Sequence, residues 1–197
     1  MQLADIRKLL LLSSTGFVYA IVVHSQTVSP IKHSGPIGDV IATYDGMRLQ
    51  SHGGGGFMTQ GGGIELHRGI ASGVGVVVDA TETRVGISGS LPGLDLFTVS
   101  IGPRITESRK EGRYIFFLQG LAGRAQGTHS FFPCPTGTCT HASGLEAQAG
   151  YGVDLRVRPS LMFRLIQADW VYTQLPNGGT NAENNFRFST GVVLRLQ

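Results

Sequence analysis

Three neighbouring residues have the types that serine hydrolases use. His141 and Ser143 stand in the stretch "HAS", and Glu146 follows three residues after the serine. A base beside a hydroxyl, with a carboxylate that orients the base, can activate serine as a nucleophile. Here the histidine and the serine are only two residues apart in a predicted loop, and the alternation of the next strand turns the glutamate to its polar face. We therefore predict no catalytic residue and a chain that is not an enzyme.

The two cysteines lie nearby, in "FFPCPTGTCTH". Cys134 and Cys139 flank a Pro-Thr-Gly turn, which suits a small disulfide formed in an oxidising compartment. Together with His129 and His141 the thiols could instead bind zinc, although their spacing matches no standard zinc finger. We predict the disulfide, with zinc binding and free thiols as the alternatives, and we expect no metal and no cofactor.

Several segments of the chain alternate between apolar and polar residues, and their polar positions carry further charged residues. In the final "NNFRFSTGVVLRLQ", the even positions from 186 onward are apolar except for Thr190, whereas Arg187 and Arg195 fall on odd ones. The stretch "LEAQAGYGVDLRV" repeats the pattern with charges of both signs. A period of two is typical of β-strands with one apolar and one polar face. The polar faces are predicted to carry acids and arginines that pair with one another: Glu65, Asp79, Arg104, Arg124, Glu146, Asp154, Arg156, Asp169, Arg187 and Arg195.

The composition is unlike that of a soluble domain. Glycine accounts for 29 of 197 residues, about twice its usual share of roughly 7%. Charged residues make up only 15% of the chain, against about 25% in soluble domains. The net charge of +3 comes without a run of basic residues, so we expect no nucleic-acid partner.

The first 25 residues have the pattern of a secretory signal. Arg7 and Lys8 precede a mostly apolar run that ends at Val23. We expect a signal peptide over 1–25, a short linker over 26–36 and one barrel domain over 37–197; a buried N-terminal helix is the alternative for the first segment. No later stretch reaches 18 apolar residues, so no helical membrane span is expected after the signal.

Eight alternating segments follow. The predicted strands are 37–49, 59–68, 70–81, 94–106, 112–125, 144–157, 160–173 and 185–197. Tight turns alternate along the chain with longer loops at 50–58, 82–93, 126–143 and 174–184. All long loops thus lie at one end, as in outer-membrane barrels, which have short periplasmic turns and longer outer loops. The pattern predicts an all-β, eight-stranded antiparallel up-and-down transmembrane β-barrel.

Alternation by itself does not say which face is inside. Three features place the polar face inward. It is rich in glycine, which fits a crowded lumen, and its charges nearly balance, as enclosed charges must. Aromatic residues also lie toward strand ends on the apolar face, as they do at membrane interfaces. The apolar face is therefore predicted to contact lipid. The predicted lipid-facing residues include Tyr151, Val153, Leu155, Trp170, Phe186, Phe188, Val192 and Leu194.

The stretch "GYGVDLRVRPSLMFRLIQADWVYTQLPNGGTNAENNFRFSTGVVLRL" resembles the last three strands of the OmpA-like (OmpA/OmpX-type) bacterial outer-membrane β-barrel family. The earlier "GGGIELHRGIASGVGVVVDA" and "FTVSIGPRI…YIFFLQGLAG" resemble its hairpins, so the likeness covers 37–197. It implies a Gram-negative protein exported through the periplasm, inserted by the barrel-assembly machinery and surrounded by outer-membrane lipid and lipopolysaccharide. The chain ends Leu196-Gln197, where the family usually ends in phenylalanine. We expect a monomer.

These observations predict a structural or interaction role. The interior of an eight-stranded barrel is filled by side chains, whereas porins need about 16 strands or more. We expect a packed polar lumen and extracellular loops that carry the function. The alternatives are a soluble exported lipocalin-like barrel that binds an apolar ligand, a narrow gated ion pore, and a lipid A deacylase-type barrel enzyme.

Overall fold

The structure, a computed structural model, describes residues 38–50, 56–85 and 93–196. In these ranges eight β-strands run antiparallel to their neighbours, and β1 pairs with β8 to close a barrel. The predicted eight-stranded up-and-down β-barrel is confirmed. The expected signal peptide at 1–25 and linker at 26–36 lie outside the described residues. The strands are β1 Gly38–Gln50, β2 Gly56–Ala71, β3 Val74–Arg84, β4 Asp95–Arg109, β5 Tyr114–Cys134, β6 Gly137–Arg158, β7 Leu161–Thr173 and β8 Glu183–Leu196.

The two faces of the strands have opposite character. Apolar side chains point out of the barrel: Ile101 is 56% exposed and Leu118 is 59% exposed. Charged side chains point into it, where Arg164 and Arg187 are buried. This is the reverse of the distribution in soluble proteins, which almost never bury an arginine completely. No helix in the described ranges is long and apolar enough to cross a membrane.

The hairpin between β5 and β6 corrects the predicted loop at 126–143. Both strands continue through this stretch, with Gln126 opposite Ser143 and Thr128 opposite His141, and they end in a turn after Cys134. The pairing of β4 with β5 stops at Thr128, so the hairpin extends beyond the barrel wall on its own. The stretch is rich in Gly, Thr, Ser and Pro, which are typical of loops, and this composition hid the strands.

Short turns join the strands at the opposite end. They lie at 72–73, 110–113 and 159–160. The first was predicted at Arg68–Gly69, four residues too early. Gly73 at the observed turn has a φ of 71°, a left-handed conformation that favours glycine.

A β-bulge in β7 changes which residues of that strand point inward. The register of β7 against both neighbours shifts by one residue after Arg164. Leu165 and Ile166 are consecutive, yet both are exposed on the outer face. One extra residue in a strand reverses the alternation beyond it. Arg164 therefore points into the lumen together with Gln167, although their positions differ in parity.

Candidate functional site

A charged cluster in the middle of the lumen centres on Arg164. Its Nη1 donates a hydrogen bond to Oε2 of Glu65 at 2.7 Å, and its Nε donates to Oδ1 of Asp154 at 3.0 Å. Arg104 also donates to Glu65, so this carboxylate accepts from two guanidinium groups. Two acids face two arginines, and the cluster is electrically balanced.

The ring of Phe117 packs against both guanidinium groups. The Cζ atoms of Arg104 and Arg164 lie 4.3 and 4.5 Å from its centroid, within range of a cation–π contact. The ring is buried opposite Gly152 of β6. A Cβ atom at that glycine would lie 2.4 Å from Cζ of Phe117, so the absence of a side chain at position 152 makes room for the ring.

A second charged cluster, nearer the long loops, surrounds Arg187. Its Nη2 lies 2.7 Å from Oδ2 of Asp79, and its Nε donates to Asp169 at 3.0 Å. Its Nη1 donates to the hydroxyl of Thr81 at 2.7 Å, and Gln148 donates to Asp79 at 3.0 Å. Every nitrogen of this guanidinium thus has a partner.

The same region holds more acid than base. Asp45 lies on β1 opposite Ser189, and Glu146 lies on β6 two residues before Gln148; all are buried. Oδ1 of Asp45, Oε2 of Glu146 and the hydroxyl of Ser189 have no hydrogen-bond partner among the described residues. In the described part of the chain, no three His, Cys, Asp or Glu side chains are placed to hold a metal ion.

A third group of charges lies at the end of the lumen near the short turns. Oδ1 of Asp39 accepts a hydrogen bond from Nε of Arg195 at 3.1 Å, and Oδ2 lies 3.1 Å from Nδ1 of His67. Arg156 is half-buried, and its Nε has no partner among the described residues. Asp39 therefore joins β1 to both of its neighbouring strands.

Buried apolar side chains form a layer in the lumen on each side of the two buried charged clusters. The upper layer, at the long-loop end, and the lower layer, at the short-turn end, each draw residues from several strands. The upper layer consists of Met47, Leu49, Leu96, Ala125, Val171 and Leu175. The lower layer consists of Ile41, Ile115, Met162 and Val193. The alternating pattern gave no sign of these layers, because inward apolar residues break the rule that the inner face is polar.

The polar-face residues chosen from the sequence fall into two groups. Those placed in the lumen are Glu65, Asp79, Arg104, Glu146, Asp154, Arg156, Asp169, Arg187 and Arg195. The choice of Arg124 was wrong: its side chain is exposed on the outer wall, opposite Val99 and Leu145. Gln119 points inward on the same strand, and a residue five positions further along must point outward.

Sequence reasoning also missed lumen residues. Asp39 and Asp45 share the parity of Ile41 on β1 and are buried with it, so alternation could have found both. Arg164 could not be found in this way, because the bulge at Leu165 inverts its parity.

The residues expected to face lipid lie on the outer wall. Tyr151, Phe186, Phe188 and Leu194 are more than half exposed. Trp170 donates a hydrogen bond to Asn184 at 3.1 Å, toward the long-loop end of the barrel. The others point outward with partial exposure: Val153, Leu155 and Val192.

The candidate hydrolase residues do not come together. His141 and Ser143 are exposed and alternate with Ala142 on β6, whereas Glu146 is buried in the lumen. Cys134 and Cys139 form a disulfide at the tip of the hairpin, so their sulfur atoms are not available as thiolate ligands for zinc.

Comparison with solved structures identifies the fold. Neisserial surface protein A (NspA) superposes with a TM-score of 0.63 at 13% identity, covering 80% of this chain and 96% of that one. Ail, the attachment invasion locus protein of Yersinia pestis, was solved with the heparin analogue sucrose octasulfate. It superposes with a TM-score of 0.58 at 18% identity, covering 83% of this chain and 100% of that one. The outer membrane protein OprG from Pseudomonas aeruginosa gives 0.54 at 9% identity, covering 84% and 98%.

The chain has the fold of the eight-stranded outer-membrane barrels. The fold resemblance expected from its strand pattern is thereby confirmed. No protein-family model matches the sequence, and no curated protein matches it.

Proposed function

We propose that this chain is a small integral protein of the bacterial outer membrane whose packed barrel supports extracellular loops and has no catalytic role. The observation that carries the proposal is the inverted distribution of side chains. Large apolar residues are exposed on all eight strands, while buried arginines and carboxylates fill the interior. A continuous apolar outer surface of this kind requires an apolar solvent.

The height of the apolar surface fits a bilayer. On β6 the outward residues are apolar from Leu145 to Leu155. Ten residue steps span about 33 Å along a strand, or about 25 Å along the membrane normal at a tilt of about 40°, which matches the apolar band of outer-membrane barrels. We infer that the short turns face the periplasm and the long loops face outward.

The other functions have less support. A lipocalin-like barrel would gather apolar residues around its cavity, yet Phe186 and Leu194 lie outside. An ion pore would have to cross both apolar layers of the lumen. A deacylase would need Glu146 beside Ser143, and the two side chains lie on opposite faces of β6.

The extracellular elements are the parts that we expect to meet other molecules. The β5–β6 hairpin continues past Thr128, where the pairing of β5 with β4 stops, and carries an exposed Phe131 near its disulfide-closed tip. The loop at 174–182 is held by Asn177, which donates to Glu183 at 2.8 Å. A disulfide agrees with assembly in the oxidising periplasm. We further propose insertion by the barrel-assembly machinery and a monomeric state, since the β1–β8 seam leaves no open sheet edge in the barrel wall.

Cell fractionation with a heat-shift gel tests this proposal. The protein should sediment with outer membranes, require detergent for extraction, and migrate differently on a gel before and after boiling, because the closed barrel resists unfolding by detergent alone. Release into the periplasm as a protein that is soluble without detergent would contradict the proposal.

A further inference from the structure

The second charged cluster of the lumen carries more negative than positive charge. Its buried carboxylates belong to Asp45, Asp79, Glu146 and Asp169, and within the described strands Arg187 is the one buried base among them. The first cluster has no positive charge to spare, because its two arginines already face two acids. Buried carboxylates without compensation are strongly unfavourable. The surplus therefore calls for positive charge that the side chains themselves do not supply.

Two buried oxygen atoms show where such a charge can be held. Oδ1 of Asp45 and the hydroxyl of Ser189 have no hydrogen-bond partner among the described residues, and the two residues are only 1% and 4% exposed. They stand directly opposite each other on β1 and β8, so their Cβ atoms lie about 5 Å apart. Both side chains point into the lumen at the same place. Oxygen atoms are the ligands that hard cations prefer.

Gly63 of β2 leaves space beside the same carboxylate. It pairs with Thr43 of β1 on one side and with Thr81 of β3 on the other. A Cβ atom at Gly63 would lie 2.7 Å from Oγ1 of Thr81, 2.9 Å from Oγ1 of Thr43 and 3.1 Å from Oδ2 of Asp45. Oxygen atoms from two strands thus converge in front of a residue that has no side chain. We call Thr43, Asp45, Thr81 and Ser189 the Asp45 site.

The hydroxyl groups of the Asp45 site turn their hydrogens away from its centre. Thr43 donates to Oδ2 of Asp45 at 3.1 Å, and Thr81 donates to Oδ1 of Asp79 at 2.8 Å. Thr81 also accepts a hydrogen bond from Arg187 at 2.7 Å. Because a hydroxyl oxygen has two lone pairs, both threonines still have a lone pair that can contact a cation.

The ligand types of the Asp45 site favour a monovalent cation. One carboxylate and three hydroxyl groups supply a single negative charge, whereas calcium sites of high affinity use several carboxylates and a bidentate glutamate. Transition metals prefer imidazole and thiolate ligands, and neither group occurs among the four residues of the site. An alkali cation accepts neutral oxygen ligands and adds the one charge that the site lacks.

We propose that the Asp45 site binds an alkali cation of the sodium type inside the barrel. Oδ1 of Asp45 and the hydroxyl oxygens of Ser189, Thr43 and Thr81 contact the ion, whose charge offsets part of the surplus of carboxylates around Arg187. The stability of the barrel is thereby linked to the sodium concentration, which goes beyond a structural role for the loops. The proposal departs from the sequence-based expectation of no metal, because alternation along the strands gives no sign that hydroxyl groups converge on one point.

Unfolding by urea of the full-length protein in phosphatidylcholine vesicles tests the site. The probe is sodium chloride, exchanged stepwise for choline chloride so that the ionic strength and the screening of surface charges stay constant. Asp45→Asn removes the carboxylate charge and nearly keeps the shape of the side chain, and Ser189→Ala removes one hydroxyl group. Asp95→Asn is the matched control, because its partly exposed carboxylate already contacts His129 and Arg84.

Above the dissociation constant, each tenfold rise in sodium concentration should raise the folding equilibrium constant of the wild type about tenfold. Asp95→Asn should keep this dependence, Ser189→Ala should need more sodium for the same effect, and Asp45→Asn should abolish it. Every variant is first checked for the heat-shifted folded band, which separates a failure to fold from a loss of sodium binding.

Equal stability of the wild type in sodium and in choline would overturn the site, and this comparison needs no variant. An unchanged sodium dependence in Asp45→Asn would overturn it as well. Stabilisation by calcium chloride at much lower concentrations than by sodium chloride would overturn the assignment to a monovalent cation.

Discussion

Nη1 of Arg164 lies 2.7 Å from Oε2 of Glu65 and joins β7 to β2 across the lumen. These strands are not neighbours in the ring, since β8 and β1 separate them. The contact therefore holds non-adjacent parts of the barrel wall together independently of the backbone ladder. Removing one member of a buried charge network leaves the others unpaired, which costs far more than the network contributes in net stability.

The first prediction concerns the charge of Glu65. Glu65→Gln keeps the shape of the side chain but leaves Arg104 and Arg164 with Asp154 as their remaining acid. We expect a loss of about 3–5 kcal/mol in the free energy of unfolding, measured by urea titration of the barrel in phosphatidylcholine vesicles. Glu82→Gln is the control, because its ion pair with Arg84 is exposed and should contribute little. Equal effects of the two substitutions would contradict the importance of the buried network.

The second prediction concerns the space beside Phe117. In Gly152→Ala the new Cβ would meet Cζ of the ring at 2.4 Å and the carbonyl oxygen of Ile166 at 2.8 Å. Overpacking of this kind costs about 1–3 kcal/mol, which the same urea titration measures. Gly120→Ala on the outer wall of β5 has no atom within 4 Å of the added methyl group and should fold normally. If Gly152→Ala left the free energy of unfolding unchanged, the ring of Phe117 would have to move freely in the lumen.

The alternation of the sequence was enough to predict the architecture, because a period of two assigns faces to every regular strand. It placed Asp79 and Arg187 on the inner face, where the structure joins them. It failed where the period is broken or carries no information. The bulge hid Arg164, and Arg124 was assigned by its charge instead of its parity. Periodicity also does not tell where along the barrel axis an inward residue lies, so it could not predict the apolar layers of the lumen, such as the one that includes Ile41.

The third prediction compares two exposed positions on the outer wall that would lie at different depths in the bilayer. Ile101 lies near the middle of the outward apolar run of β4, whereas Leu194 pairs with Val40 and Leu161 near the short turns. An arginine costs about 2–4 kcal/mol near the bilayer midplane and about 0–1 kcal/mol near the interface. Ile101→Arg should therefore destabilise the barrel in vesicles much more than Leu194→Arg. In a soluble barrel both substitutions would be mild, which makes the pair a test of the membrane assignment.

The fourth prediction concerns conductance. The upper apolar layer around Met47 and Leu96 and the lower layer around Ile41 and Val193 place buried apolar side chains between the charged clusters and the two ends of the lumen. The folded protein in a planar bilayer should give no steady current at any applied voltage of either sign. Discrete, voltage-dependent openings would show that the ion pairs and both layers can rearrange, and would restore the narrow pore as a function.

The last prediction concerns the disulfide at the hairpin tip. The Cys134–Cys139 bridge closes a loop of few residues, and it lies beyond Thr128, where the barrel wall ends. Short loops cost little entropy to close, and the tip shares no strand pairing with β4. The double variant Cys134→Ser, Cys139→Ser should therefore keep the heat-shifted band of the wild type. The tip itself should open more often, so protease added to intact cells should cut the variant within 129–140 faster than the wild type. Replacing Thr136 by Ala, which lies between the cysteines without being part of the bridge, serves as the control and should not change cleavage. Loss of the folded band in the double variant would instead show that the bridge is required for assembly of the barrel.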